Sequence, residues 1–335
     1  MKILITGGAG FIGSTIASAC LDVGITPVIL DNLSTGRREF TKDRAFYEGD
    51  VADAGLVDKV FSDHPDIYGV IHCASLIVVP ESMTDPLRYY RENVAKGILF
   101  FEHLARNDCQ RLLFSSSAAI FQADGERLTV DEDSPLAPGS PYAQTKAMLE
   151  KVIADVSAAG QLRSVSLRYF NPIGADPRLR TGLQVLKPTH ALGAMIECHH
   201  SNSTFTVTGT DFPTKDGSGI RDYVHVWDIA QAHIAALRQF DSVLETEAAN
   251  SSVIILGSGK GTTVKDLVRI FEKVTGQPLT HAEVPRRPGD QAGAYSGSNK
   301  AAKLLGWRPM LTVEQAVQDS LAWHAKRADI LGQVA

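Results

Sequence analysis

A chain of 335 residues with 44% hydrophobic and 21% charged residues has the composition of a soluble globular protein, with room for two domains. Its net charge of −5 gives no overall attraction for nucleic acid or an anionic membrane, and no apolar run approaches the roughly 18 residues of a membrane-spanning helix. We therefore expect neither as a partner. Four scattered cysteines without a C-x-x-C pair predict reduced thiols, a cytoplasmic location and no metal site.

Short apolar runs alternate with amphipathic stretches in the first half of the chain, which is typical of a parallel sheet covered by helices on both faces. We predict strands at residues 2–6, 27–30, 45–49, 68–72, 111–115 and 163–168. We predict helices at residues 11–22, 53–63, 84–106, 141–158, 226–239, 263–274 and 312–326. The predicted fold class is α/β, with a Rossmann-like doubly wound parallel sheet in residues 1–172. A smaller α/β lobe in residues 173–335 would send segments back to the first domain.

The first predicted strand leads into T-G-G-A-G-F-I-G-S, a glycine-rich turn before a predicted helix. Gly8, Gly10 and Gly13 satisfy G-x-G-x-x-G, and Gly7 with the latter two satisfies G-x-x-G-x-x-G. Glycines let the backbone approach a pyrophosphate, which then lies at the amino end of the helix. Asp31 ends the second predicted strand, where a carboxylate accepts hydrogen bonds from an adenosine ribose and repels a 2′-phosphate. The pattern predicts a dinucleotide site that prefers NAD to NADP.

The stretch F-S-S-S-A-A-I-F at residues 114–121 lies at the carboxyl end of a predicted strand, the edge where open parallel sheets bind ligands. Tyr142 and Lys146 follow, one turn apart on a predicted helix. Such a pair alone is usually a surface contact worth a few tenths of a kcal/mol. After a glycine turn and a serine strand, we interpret Ser117, Tyr142 and Lys146 as a catalytic set for hydride chemistry. The charges of Lys146 and an oxidised nicotinamide would lower the pKa of Tyr142.

A second glycine cluster, L-G-S-G-K-G-T-T-V, lies at residues 256–264. It lacks the Ser or Thr that must follow the lysine of a phosphate-binding P-loop. We interpret it as a strand-to-helix turn with Thr262 or Thr263 as the helix cap.

Five longer stretches resemble the extended short-chain dehydrogenase/reductase superfamily and, within it, the UDP-glucose 4-epimerases. They are L-D-N-L-S-T-G at 30–36, P-E-S-M-T-D-P-L-R-Y-Y-R-E-N-V at 80–94, L-R-Y-F-N-P-I-G-A at 167–175, G-T-D-F-P-T-K-D-G-S-G-I-R-D-Y-V-H-V-W-D at 209–228 and R-R-P-G-D at 286–290. The fourth is the most specific. The resemblance covers nearly the whole chain and implies an NAD-dependent enzyme that acts on a UDP-sugar as a homodimer.

By resemblance, one set of residues would hold the cofactor NAD. This set is Gly7, Gly10, Phe11, Ile12, Gly13, Asp31, Asn32, Asp50, Val51, Asn93, Tyr142, Lys146 and Tyr169. A second set would bind the UDP-sugar and consists of Ser117, Tyr142, Asn171, Arg221, Arg287, Asp290 and Ala294. Arg221 and Arg287 would grip the diphosphate, because a guanidinium matches phosphate oxygens bidentately. The alternative for Arg221 is a salt bridge to Asp222 or Asp228.

The implied reaction inverts C4 of a UDP-hexose and interconverts UDP-galactose and UDP-glucose. Tyr142, as a phenolate, would remove the proton of the 4-hydroxyl while Ser117 hydrogen-bonds to the same oxygen and a hydride passes from C4 to NAD. The transient 4-keto sugar would turn over in the pocket and take the hydride back on its other face. The cofactor would therefore stay bound throughout.

Four positions depart from the family pattern. Ile77 replaces a lysine near the cofactor, and Ala119 replaces a hydroxyl-bearing residue beside the substrate. His190 stands in place of an asparagine that would contact the substrate. Ala294 is small enough to leave room beside the sugar, so we expect UDP-N-acetylhexosamines to be accepted as well.

Two alternative functions stay open at this point. A 4,6-dehydratase or a decarboxylase would use the same keto intermediate, but a dehydratase needs an acid–base pair where Ala118 and Ala119 stand. A non-catalytic NAD-binding protein should have lost Ser117, Tyr142 or Lys146, and all three are present.

Overall fold

A computed structural model describes residues 1–121, 128–245, 247, 249–286 and 291–332. Its strands are β1 (Lys2–Thr6), β2 (Thr26–Asp31), β3 (Ala45–Glu48), β4 (Ile67–His72), β5 (Arg111–Ser117), β6 (Thr129–Val130), β7 (Arg163–Tyr169), β8 (Asn171–Ile173), β9 (Phe205–Thr208), β10 (Ile220–His225), β11 (Ser251–Leu256), β12 (Gly261–Thr263), β13 (His281–Val284) and β14 (Tyr295–Ser296). Its α-helices are α1 (Phe11–Asp22), α2 (Ala54–Asp63), α3 (Val79–Thr84), α4 (Pro86–Tyr89), α5 (Lys96–Arg106), α6 (Pro141–Ala158), α7 (Ala191–Ser201), α8 (Val226–Arg238), α9 (Phe240–Glu245), α10 (Val264–Thr275), α11 (Lys300–Leu305) and α12 (Val313–Leu331). Among these described helices, none has the length and apolar character needed to cross a lipid bilayer.

The central sheet consists of seven parallel strands in the order β11-β7-β5-β4-β1-β2-β3. Strand β1 lies between β2 and β4, so that Ile5 has Ile29 on one side and Ile71 on the other. The chain first winds outward from β1 to β3 and then in the opposite direction from β4. A crevice therefore opens at the carboxyl ends of β1 and β4. The predicted α/β class with a Rossmann-like doubly wound sheet is confirmed.

Separate apolar clusters cover the two faces of this sheet. On one face Ile5 of β1 packs in a cluster with Ile16 of α1 and Ile234 of α8. On the other face Leu4 belongs to a cluster with Phe100 of α5 and Leu149 of α6. Leu4 and Ile5 are neighbours in β1 but belong to different apolar clusters. The strands are therefore apolar on both faces, because both faces of the sheet are covered.

The predicted helix at residues 84–106 is divided in the structure. Helix α3 ends before Asp85, whose carboxylate accepts the backbone N–H of Arg88 at 3.3 Å and caps α4. Pro86 cannot continue the hydrogen bonds of α3 because it has no N–H group. A π-helical turn at Tyr90–Ala95 then leads into α5.

The second glycine cluster forms the turn that the sequence predicts. Thr263 caps α10, because its side chain accepts the N–H of Asp266 while the Asp266 carboxylate accepts the N–H of Thr263. The predicted strand-to-helix turn implies a strand before it, but β11 is not among the predicted strand ranges. This strand completes the central sheet next to β7.

The lobe on the carboxyl side of the sheet contains the three-stranded sheet β12-β10-β8. Strand β10 pairs in parallel with β8, which places Tyr223 opposite Asn171. It pairs antiparallel with β12, which places Arg221 opposite Thr262. The lobe has its own apolar cluster, which includes Phe271 of α10.

Candidate active site

The glycine turn joins β1 to α1 in a conformation that only glycine tolerates. Gly7 has a φ of +66°, and a Cβ atom there would lie 2.6 Å from the backbone nitrogen of Ala74. A Cβ atom at Gly13 would lie 2.3 Å from the carbonyl oxygen of Gly7. The N–H of Gly10 donates to that same oxygen at 3.1 Å and closes the turn. Phe11 and Ile12 begin α1 directly after this turn, and backbone N–H groups in the first turn of a helix have no partner within the helix.

Asp31 lies at the carboxyl end of β2, directly beside the turn. Its two carboxylate oxygens accept the N–H groups of Ala9 at 2.9 Å and Leu33 at 2.8 Å. Burial raises the pKa of Asp31, and these two hydrogen bonds oppose the rise. Each oxygen keeps a second lone pair that a ribose hydroxyl can use.

Asn32 and Asp50 lie at the outer part of the crevice and hydrogen-bond through their side chains. Asp50 also accepts Lys96 Nζ at 2.6 Å and the N–H of Ala52 at 2.9 Å. Burial raises the pKa of Asp50, but the hydrogen bonds from Lys96 and Ala52 outweigh it and leave the pKa below its usual value. Val51 packs against the apolar cluster under β4.

Ser117 and Tyr142 meet at the carboxyl edge of the sheet. Ser117 ends β5, and its side chain accepts the N–H of Ala119 at 3.1 Å and hydrogen-bonds to the Tyr142 hydroxyl. Tyr142 lies in the first turn of α6, which begins at Pro141 behind the capping side chain of Ser140. Burial raises the pKa of Tyr142, and the Ser117 hydrogen bond partly opposes this.

Lys146 lies one turn further along α6 and is only 3% exposed. Its Nζ donates to the carbonyl oxygen of Ser115 at 2.9 Å and stands 5.0 Å from the ring centre of Phe114. Burial lowers the pKa of Lys146 to about 8. The ammonium group donates to the β5 backbone and not to the phenol oxygen, so burial and Ser117 are the causes that act on the pKa of Tyr142 here.

A polar network that the sequence does not predict lies behind Tyr169. The Ser115 hydroxyl lies 3.3 Å from His233 Nε2 and 3.0 Å from Cys73 Sγ, and it hydrogen-bonds to Tyr169. His233 Nδ1 is 2.8 Å from the carbonyl oxygen of Ile229, so Nδ1 carries the proton and Nε2 accepts from Ser115. Ser115 is recognisable in the sequence only because Ser117, on the same face of β5, follows two residues later.

Asn93 ties the loop after β4 to the catalytic helix. Its side chain accepts the N–H of Leu76 at 2.8 Å and donates to the Leu76 carbonyl and to Thr145 Oγ1, both at 3.0 Å. Ile77, the next residue in this loop, is 61% exposed. Asn93 thus holds the loop in place, while the side chain of Ile77, which differs from the family pattern, is exposed to solvent.

Arg221 and Asn171 lie on neighbouring strands of the lobe, two register positions apart. Arg221 Nη1 donates to the carbonyl oxygens of Ile220 at 2.7 Å and Ala292 at 2.9 Å. In the described part of the chain Arg221 forms no ion pair. The alternative of a salt bridge to a neighbouring aspartate is therefore wrong for the described residues. Asp222 instead accepts backbone N–H groups, including that of Ser258 at 2.8 Å.

Four further predicted positions belong to the segment of residues 173–335. Ala294 packs at the edge of the apolar cluster on the α8 side of the sheet. His190 caps α7, with its Nδ1 accepting the N–H of Gly193 at 3.1 Å. Arg287 and Asp290 lie outside the described residues.

The doubly wound sheet, the glycine turn with Asp31 and the convergence of Ser117, Tyr142 and Lys146 at one edge define a short-chain dehydrogenase/reductase type of protein. A family model described as "NAD dependent epimerase/dehydratase family" matches residues 3–251. The chain belongs to this family, and many of its relatives are UDP-glucose 4-epimerases, as predicted.

Three of these relatives illustrate the similarity. The UDP-glucose 4-epimerase of Azospirillum brasilense is 38% identical over 335 residues, which cover 99% of this chain and 94% of that protein. The crystal structure of the UDP-glucose 4-epimerase of Stenotrophomonas maltophila with bound NAD and formylated UDP-arabinopyranose has a TM-score of 0.92 and 31% identity, with 98% and 99% of the two chains covered. The UDP-Glc/GlcNAc 4-epimerase of Campylobacter jejuni has a TM-score of 0.82 and 34% identity, with 97% and 99% covered.

Proposed function

We propose that this protein is an NAD-dependent UDP-glucose 4-epimerase that inverts C4 of a UDP-hexose. The observation that carries the proposal is the hydrogen-bonded pair Ser117–Tyr142 above Lys146, at the edge of the sheet where the glycine turn opens. Relatives across nearly the whole chain are UDP-glucose 4-epimerases, and one of them binds NAD and a UDP-sugar.

The residues of the turn fit NAD. Gly7 and Gly13 leave a backbone surface free of Cβ atoms for a pyrophosphate, and Asp31 offers carboxylate lone pairs to a ribose. The residues that we propose to contact NAD are Gly7, Gly10, Phe11, Ile12, Gly13, Asp31, Asn32, Asp50, Val51, Asn93, Tyr142, Lys146 and Tyr169. Bound NAD supplies the acceptor for the hydride that leaves C4 of the sugar and returns to its other face.

Tyr142 acts as the base that takes the proton of the sugar 4-hydroxyl and later returns it. In the absence of substrate the Ser117 hydroxyl donates to Tyr142, which favours the phenolate. With the sugar bound, its one hydrogen is donated to the oxygen at C4 instead. Lys146, held by the Ser115 carbonyl, binds the ribose next to the nicotinamide. Burial raises the pKa of Tyr142, and a positively charged nicotinamide ring beside it would oppose that rise.

The nucleotide is held by the lobe. Asn171 and Arg221 project from adjacent strands beside the crevice, and we propose that Arg221 and Arg287 bind the diphosphate while Asp290 accepts the uridine ribose hydroxyls. The division into a cofactor domain of residues 1–172 and a substrate lobe of residues 173–335 is supported by the lobe's own apolar cluster. The return of β11 to the central sheet beside β7 supports the proposed crossing segments.

Purification without added cofactor followed by UDP-galactose tests this function. We expect UDP-glucose to form with no NAD supplied, because the cofactor stays bound through each cycle. An enzyme that holds NAD but releases a 4-keto or dehydrated sugar nucleotide as the only product would contradict the proposal.

We propose a second substrate class, because Ala294 is a small residue at a position that we expect beside the sugar. The similarity to an epimerase described for both UDP-Glc and UDP-GlcNAc supports this. We predict that UDP-GlcNAc is converted to UDP-GalNAc. Replacing Ala294 with Tyr should abolish this activity while UDP-galactose is still converted. The absence of UDP-GlcNAc turnover in the unmodified enzyme would refute the prediction.

We propose a homodimer formed through α5 and α6 in the cytoplasm. Ile98 and Leu99 of α5 and Met148 of α6 are exposed apolar residues, as is Leu87 of the neighbouring α4, and an isolated chain would leave them in water. The four cysteines are free, which suits a reducing compartment. Light scattering should give the mass of a dimer, and a Leu99→Glu variant should give that of a monomer. A monomeric unmodified protein would contradict the dimer.

A further inference from the structure

Helix α6 carries a buried carboxylate in addition to its two proposed site residues. Glu150 lies one turn beyond Lys146 and two turns beyond Tyr142, on the same buried face of the helix. Its side chain is 6% exposed. A carboxylate is rarely buried unless its charge is paired and its oxygens are hydrogen-bonded, so the partners of Glu150 are informative.

These partners come from two adjacent strands of the central sheet. Ser116 of β5 donates its hydroxyl to Glu150 Oε1 at 2.5 Å. Arg168 of β7 donates Nε to both carboxylate oxygens at 3.0 and 3.1 Å, and Nη2 to Oε2 at 2.6 Å. Ser116 and Arg168 are register partners in the β5–β7 pair, so one carboxylate binds both strands at the same level.

Each partner directly precedes a proposed site residue. Ser117 follows Ser116, Tyr169 follows Arg168, and Ser117 and Tyr169 are themselves register partners. Glu150 therefore attaches α6 to the sheet at the last position before the crevice. A shift of α6 relative to β5 changes the distance between Ser117 and Tyr142.

We propose that Glu150 is a positioning residue: its carboxylate fixes α6 on β5 and β7 and thereby sets the contact between Ser117 and Tyr142. This positioning role rests on the proposed function, whereas the contacts of Glu150 with Ser116 and Arg168 are independent of it. Removing two charges from water costs about as much as their attraction returns, so a buried ion pair is weak evidence for a stabilising role. The ion pair is better explained by its effect on geometry, because it fixes one arrangement of α6 on β5 and β7.

Glu150 also acts on Lys146 through its charge. Burial lowers the pKa of Lys146, while Cys73 and Glu150 raise it. The other titratable group beside Lys146 is His72 at the end of β4. Near Tyr142 the titratable neighbour is Tyr169. Loss of the Glu150 charge therefore lowers the pKa of Lys146 further, and Lys146 loses its proton at a lower pH.

The test is the pH profile of kcat for a Glu150→Gln variant with UDP-galactose. We expect kcat to fall by about ten- to a hundredfold, as for a misplaced catalytic group, with KM changed less than about twofold. The rising limb should move to higher pH, because Ser117 no longer lowers the pKa of Tyr142. The falling limb should move to lower pH, because Lys146 deprotonates earlier.

The matched control is Asp241→Asn. Asp241 bridges Arg111 and Arg163, which begin the same two strands at the opposite edge of the sheet. In this variant both limbs of the kcat profile should stay at the same pH as in the unmodified enzyme. Its melting temperature shows how much stability is lost when an ion pair is removed from these strands. A Glu150→Gln enzyme with unmodified kcat and unmodified limbs would overturn the proposal.

Ser116→Ala keeps the Glu150–Arg168 pair and serves if Glu150→Gln does not fold. It should lower kcat and move only the rising limb, since the charge beside Lys146 is kept. A Ser116→Ala profile identical to that of the unmodified enzyme would then contradict the positioning role. Failure of the unmodified enzyme to convert UDP-galactose would instead contradict the proposed function.

Discussion

A Tyr142→Phe variant should lose kcat by about 10²- to 10⁴-fold, the contribution expected of a general base. The phenyl ring keeps the apolar volume of this buried side chain and removes only the hydroxyl that contacts Ser117. We therefore expect the KM for UDP-galactose, the NAD content and the melting temperature to change little. Steady-state kinetics with UDP-galactose, together with release of the bound nucleotide by denaturation, measure these quantities.

Tyr47→Phe is the control for this variant. Tyr47 donates its hydroxyl to Asp63 at 2.7 Å on the outer side of β3, away from the crevice. Loss of the Tyr47 hydroxyl should leave kcat unchanged. A Tyr142→Phe enzyme that retains full activity would show that another group removes the proton.

A Gly7→Ala variant should lose NAD. The residue has a φ of +66°, which costs a non-glycine residue about 1–2 kcal/mol, and its Cβ atom would lie 2.6 Å from the Ala74 backbone nitrogen. The turn must move to relieve this contact, and the N–H groups of α1 then no longer converge on one phosphate position. We expect NAD affinity to fall by more than about tenfold, the factor that corresponds to each 1.4 kcal/mol lost.

Gly24→Ala separates backbone strain from loss of the site. Gly24 has a φ of +74° but a Cβ atom there would have no neighbour within 4 Å. This variant should be destabilised by about 1–2 kcal/mol and should retain NAD. Equal NAD contents of the two alanine variants, measured after gel filtration, would contradict the role of the Gly7 turn.

The sequence predicts the elements that carry strong local signals. The run K-I-L-I-T before the glycines, and the N-terminal position of Tyr142 on a helix that begins with Pro141, are recognisable without the structure. These features depend on local backbone chemistry, which a short stretch of sequence encodes.

Other features depend on contacts between distant parts of the chain. Strand β11 joins the sheet only because it pairs with β7, and the direction of the Lys146 ammonium group is set by the carbonyl of Ser115. For the same reason, the sequence alone does not mark Glu150 as a site residue. Its place eight residues after Tyr142 marks the shared helix face, but its burial is visible only once Arg168 lies beside it.

In the proposed reaction C4 is inverted by removal and return of the same hydrogen within one enzyme complex. UDP-galactose that carries deuterium at C4 tests this most directly. We predict UDP-glucose that retains the deuterium at C4 in ordinary water, with no accumulation of reduced cofactor. Loss of the label to solvent, or a product in which C4 is not inverted, would contradict the account.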